Sequence, residues 1–231
     1  SDTPAPTAVP AAAASGGIEA ALTNAPNAPI GVARGIHPGR VVWTHDPEAT
    51  SWDGHDGFWW EDRHLDPKIV RRMLSDTVQT LTGAGSNAAA WDALFRHYNA
   101  AHNRGNNGYQ AGETIAIKLN LNSGTSHSQL DNATFSSPQL VSALLHQLVE
   151  EAGVPAEAVT AYDVIRLVPD PIYDACADAP IEGVHFVEWE GGAGREQYAR
   201  DLTCRVHWSS DEVQGNPTYL PTCVTEADYL I

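Results

Sequence analysis

A chain of 231 residues with 42% apolar content is long enough for one large domain and apolar enough to bury a sizeable core. Its 29 acidic residues against 13 basic ones leave a formal charge of −16. That excess excludes nucleic acid as an expected partner, because phosphate binding needs a basic face, and it disfavours an anionic membrane surface for the same reason. No run approaches the ~20 apolar residues of a membrane span.

Residues 1–28 are rich in Pro and Ala and cannot pack a core, so they read as a tail or linker. The composition looks like that of an exported protein after signal removal, which points to the periplasm, the cell surface or secretion; a cytoplasmic protein with a ragged terminus is the alternative. Such a tail is expected to lie against a neighbouring subunit, making a homo-oligomer or larger assembly a natural partner. The three cysteines, Cys176, Cys204 and Cys223, form no C-x-x-C pair. Iron–sulfur and haem spacings are therefore missing, and neither cofactor is expected. In an oxidising compartment Cys204 and Cys223 are the favoured disulfide, since they close the shorter loop; three buried thiols are the alternative.

From residue 29 onward the pattern is that of a single domain. Ile30–Ala33 and Arg40–Thr44 read as two β runs joined by a turn at His37-Pro38-Gly39. The loop from His45 to His64 follows, with three of the seven tryptophans, three of the ten histidines and six carboxylates. Asp66-Pro67 is an N-cap with proline at the first helical position, and the apolar spacing predicts a helix to Gly83. Ser86 caps a second helix bearing Trp91, Leu94, Phe95 and Tyr98 on one face, completing a helical hairpin. A strand is predicted over 114–119, a helix from Pro138 to about Ala152, and a strand over 158–163. Strand, helix and strand in about fifty residues make a βαβ unit with a right-handed crossover. A short helix at 171–177 and a strand at 184–188 continue the alternation. Beyond Gly191 the pattern is β-rich and irregular, with strands at 203–208, 219–225 and 227–231. The fold class is therefore α/β: a mainly parallel central sheet with flanking helices, an N-terminal helical hairpin and an irregular β-rich C-terminal part. The last apolar run is cut off at Ile231, so the domain is expected to continue past it.

Five segments carry a resemblance: Pro29–Asp46, Glu113–Asn120, the Ser-Pro-Gln helix ending at Gly153, Ala161–Arg166 and Glu226–Ile231. Together they resemble the DUF362 family, whose function is unknown, in its exported bacterial branch that often carries a twin-arginine signal. The resemblance covers residues 29–231 and implies an α/β fold. In many members a ferredoxin-type iron–sulfur segment accompanies the domain, which implies redox-associated work. This chain has no cysteine set to match, so a cluster is not carried over. The family pattern continues past Ile231 into a second lysine-containing segment, so a truncated domain is expected.

Lys118 is one of only two lysines, and it ends an apolar strand. Strand alternation puts Lys118, Asn120 and Asn122 on one face. The carboxyl end of a parallel strand is where open α/β sheets bind ligands. Lys118 there would hold a carboxylate or phosphate, or form a structural ion pair with Asp163. Asp163 with Arg166 would complete a mixed-charge cup for a small anionic ligand or a metal, or would tie the strand end to its loop. In the tryptophan loop, His45, Asp46, Asp53, His55 and Asp56, with Glu61, Asp62 and His64, are candidate divalent-metal ligands. Trp52, Trp59 and Trp60 would equally make a stacking surface, or anchor the loop to the domain or a neighbour. The expected function is thus binding of a small anion or metal at the sheet edge. The alternative is a structural subunit of an extracellular assembly that uses the tail and the tryptophan loop for contacts. No catalytic residue is assigned.

Overall fold

The computed structural model describes residues 30–122, 124–130, 134–208 and 217–231. The tail of residues 1–28 lies outside the described residues. The chain divides into two compact units, Ser1–Arg34 and Gly35–Ile231. The second holds every helix and strand described below.

The helical hairpin is set by its caps. Asp66 accepts from the Lys68 and Ile69 N–H groups and Pro67 occupies the first position of α1 (Pro67–Thr82). Gly83 closes α1 in the left-handed conformation, donating its N–H to Gln79. Ser86 caps α2 (Asn87–Ala101) through the Ala89 N–H. Trp91, Phe95 and Val78 put the hairpin's apolar stripe into the main core.

Strand β1 (Ile115–Lys118) leads, through a long loop, to α3 (Pro138–His146), again begun by a Ser137 cap and a proline. The last turn of that helix widens into a π turn at Gln147–Glu151. Then come β2 (Val159–Asp163), the short α4 (Asp170–Asp174), β3 (His185–Glu188) and β4 (Glu196–Gln197). The C-terminal part holds β5 (Arg200–Val206), β6 (Thr218–Pro221), α5 (Thr222–Thr225) and β7 (Tyr229–Leu230).

The five-stranded sheet has the order β4-β3-β2-β1-β7, and every pairing in it is parallel. The chain therefore builds away from β1 in one direction and returns to its other side with β7. That reversal is a topological switch point at β1, and its crevice lies at the carboxyl ends of the strands. Ile115, Ala116 and Ile117 are buried while Lys118 is exposed, so β1 stops being core at its last residue. Strands β5 and β6 form a separate antiparallel pair, the irregular β-rich portion expected from the sequence.

Three local expectations are corrected. The runs Ile30–Ala33 and Arg40–Thr44 are not strands. The second is tied by its side chains to α1 instead of entering a ladder: Arg40 donates to the Thr80 and Leu81 carbonyls at 3.1 Å, and Thr44 bonds Thr77 at 2.7 Å. Thr222–Thr225, expected as strand, is a helical turn following Pro221. The favoured disulfide does not form, because all three cysteines are free thiols. Burial pushes the Cys176 thiol up to about 12 and the Cys223 thiol up to about 11, so both sit as neutral small groups.

Candidate functional site

The carboxyl ends of β1, β2 and β3 carry Lys118, Asp163 and Glu188. Parallel pairing sets Asp163 directly beside Glu188, and Lys118 beside Tyr162. Asp163 is buried, and its carboxylate gathers three donors. Lys118 Nζ stands 3.0 Å from Oδ2, with the Leu121 N–H at 3.3 Å on the same oxygen and the Ile165 N–H at 3.0 Å on Oδ1. The carboxylate thus ties the loop leaving β1 to the loop leaving β2. Lys118 also donates to the Leu119 carbonyl, and its side chain stays 50% exposed. The structural ion pair weighed from the sequence is present, and it leaves the ammonium facing solvent.

Arg166 lies three residues past Asp163. Its Nε donates to the Asn122 carbonyl at 3.0 Å and its Nη1 to the Ile165 carbonyl at 3.3 Å. Among the described residues it pairs with no carboxylate. Two carbonyls fix the guanidinium plane without neutralising it, which leaves its remaining N–H groups for an anion. Alternation continues past the strand: Leu119 and Leu121 are buried, while Asn120 and Asn122 are exposed. The backbone of Asn120 is fastened to Ser136 in both directions, at 3.0 and 2.9 Å. The structure therefore brings Lys118, Asp163, Arg166 and the Asn122 carbonyl together at one edge, with Asn120 on the adjoining rim.

Sequence reading misses Glu188, which is fully buried. His127 Nε2 meets its Oε1 at 2.8 Å, and the Val168 N–H donates to Oε2 at 2.7 Å. Glu188 is to β3 what Asp163 is to β2: a carboxylate at the strand's last position that holds neighbouring loops. An acid closing the predicted strand 184–188 is the available signal. Also missed is buried Arg195, which donates to the Val168 carbonyl and to Asp170 Oδ1 at 3.0 and 2.7 Å and lies 4.0 Å over the Tyr173 ring. Gly194 reaches this spot at φ +87, and a Cβ there would stand 2.1 Å from the Tyr173 hydroxyl.

The candidate metal ligands are spread along the tryptophan loop, and its carboxylates Asp46, Asp53, Asp56, Glu61 and Asp62 each accept from a donor. His45 stacks on Trp43. Asp46 accepts from the Glu48 N–H and pairs with Arg72, which together hold its carboxyl below the usual range. The Asp56 and His55 N–H groups do the same for Asp53. Asp56 and Glu61 share Arg63 at 2.7 and 2.9 Å. Asp62 accepts from Gln139, which also bonds the Trp60 carbonyl, both at 2.7 Å. Trp59 and Trp60 pack on the core beside Phe135. The loop is thus anchored to its own domain. Among the described residues, no three of His, Cys, Asp and Glu form a group that could hold a metal ion.

Comparison with protein-family models, with curated proteins and with solved structures returns no match.

Proposed function

We propose that the protein binds a small anionic molecule, through a carboxylate or phosphate group, at the carboxyl edge of its parallel sheet. The observation that carries this reading is Arg166, held by two backbone carbonyls and unpaired with any carboxylate among the described residues. Half-exposed Lys118 supplies a second cation close by, its charge shared with Asp163. The topological switch at β1 supports the location. An anion is favoured over a metal because the groups facing outward are cationic and the carboxylates at this edge are buried against donors. We read the DUF362-like segments and the exported-type tail as marking an extracytoplasmic setting for this binding.

The ligand would be oriented by Arg166 as a planar fork and by Lys118 as a point charge. Asp163 acts on the ligand indirectly, by fixing the lysine and the 121 and 165 backbones. Calorimetric titration with inorganic phosphate, acetate and citrate tests the reading. Binding of at least one anion should weaken about tenfold or more in Arg166→Ala, the scale of a lost charge-assisted bond, and less in Lys118→Ala. Unchanged affinity in Arg166→Ala, with its fold intact by circular dichroism, would sink the proposal.

A further inference from the structure

A groove between the tryptophan loop and α4 uses none of the residues of the anion site. It encloses about 340 Å³, and its lining includes Phe58, Trp60, Ser128, Asp170, Pro171 and Asp174. Phe58 and Trp60 make one wall, their rings stacked at 4.9 Å and 8°. Those rings are held firmly, because Trp60 packs on Phe135 and its carbonyl accepts from Gln139. Another wall is α4, with a carboxylate at each end.

The two carboxylates differ. Asp170 is neutralised by Arg195 at 2.7 Å. Asp174 is exposed and has no ion pair among the described residues, so it brings an uncompensated negative charge to the rim. The Trp60 indole nitrogen is sealed from solvent and unpartnered. Among the described residues, the polar side-chain groups that the groove presents are therefore two carboxylates and one hydroxyl. A carboxylate only accepts hydrogen bonds, whereas ammonium and guanidinium groups only donate them. Aromatic faces attract such cations by about 0.5–1 kcal/mol at exposed sites. An anion would meet Asp174 and be repelled. A sugar, which needs donors as well as acceptors on the protein, finds one hydroxyl.

We propose that this groove is a binding site for an organic cation, an alkylammonium or alkylguanidinium group. Its hydrocarbon lies on the Phe58–Trp60 rings and its charge faces Asp174. The formal charge of −16 favours encounter with cations generally, and the rings with Asp174 select an organic one.

The test is titration of the whole chain, followed by the Trp60 indole N–H signal, which a Trp60→Phe variant assigns. The probes are n-butylammonium and a terminally blocked tripeptide with a central arginine. Sodium butyrate and methyl glucoside serve as controls at matched ionic strength. Saturable movement of the Trp60 signal by either cation, with neither control moving it, is expected; the tighter cation tells a free amine from a basic side chain. Asp174→Asn should weaken that binding about fivefold, the upper end for an exposed ion pair, and Phe58→Leu about threefold. Asp174 is exposed, so its variant should fold normally. The proposal is overturned if neither cation moves the signal, if methyl glucoside binds as well, or if Asp174→Asn binds the cations unchanged.

Discussion

The two ends of the parallel sheet use the same kinds of side chain and differ in how fully these are paired. At the amino ends of β1 and β7 the network is closed. Arg104 donates to Glu113 and Asp228 at 2.9 and 2.7 Å and stands 5.4 Å over the Tyr229 ring. The Tyr229 hydroxyl donates to Glu113 and accepts from Asn99, at 2.7 and 2.9 Å. Arg104 is thus answered by two carboxylates, and the network clamps the last strand into the sheet. At the carboxyl ends, Asp163 and Glu188 are sealed in the same manner, but among the described residues Arg166 has carbonyls only, and Lys118 stays half-exposed. One end is a fastener. The other is a fastener with two cations left over, and leftover cations are what anion binding requires.

Substitutions at the two ends put that difference to the test. The largest effect is expected at Glu188→Ala, which strands the Val168 N–H and the His127 ring around a vacated, fully buried position. Unfolding in urea should show a loss of about 3 kcal/mol, the scale for leaving buried hydrogen-bonding groups unsatisfied. A loss under about 1 kcal/mol would class it with surface pairs.

Next comes Tyr229→Phe at the closed end. It removes one hydrogen bond to Glu113 and one from Asn99, for an expected cost of about 1–2 kcal/mol by the same assay. Burial, with the Glu113 carboxylate as acceptor, pushes the Tyr229 hydroxyl up to about 12. The folded state therefore keeps a proton that the unfolded chain releases near its ordinary value of 10.0. The Tyr229 contribution to stability is complete below about pH 10 and declines as pH rises towards about 12. Stability curves against pH should show this alkaline slope, and Tyr229→Phe should flatten it.

The smallest effect on stability belongs to Lys118→Met. Asp163 keeps its two backbone donors, and a half-exposed ion pair is worth little, so urea unfolding should move by less than about 1 kcal/mol. A larger loss would make Lys118 part of the fastener and erase the contrast on which the anion site rests.

Much of this architecture is legible in the sequence because caps and alternation are local. Asp66-Pro67, Gly83, Ser86 and Ser137-Pro138 mark helix ends by satisfying orphan backbone groups within a few residues. Lys118 and Asp163 are legible for the same reason, since each is the last residue of a readable strand and parallel strands present those ends together. The segment Arg40–Thr44 has the β-branched and aromatic make-up of a strand but has a helix for a neighbour, and composition says nothing about what lies alongside. The His127–Glu188 contact spans 61 positions through an irregular loop, and no spacing rule reaches across it. The closing of the groove by Phe58, Trp60 and Asp174 likewise depends on where a long loop comes to rest. The tryptophans there are visible in the sequence as a stacking surface; which carboxylates face them is not.

Arginine side-chain Nε–H signals, followed during titration with phosphate or the tightest-binding anion, separate the two ends of the sheet in one experiment. The Arg166 signal should move saturably while that of Arg104, answered by two carboxylates at the opposite end, stays in place. Equal movement of both signals, or movement of Arg104 alone, would contradict an anion site at the carboxyl edge.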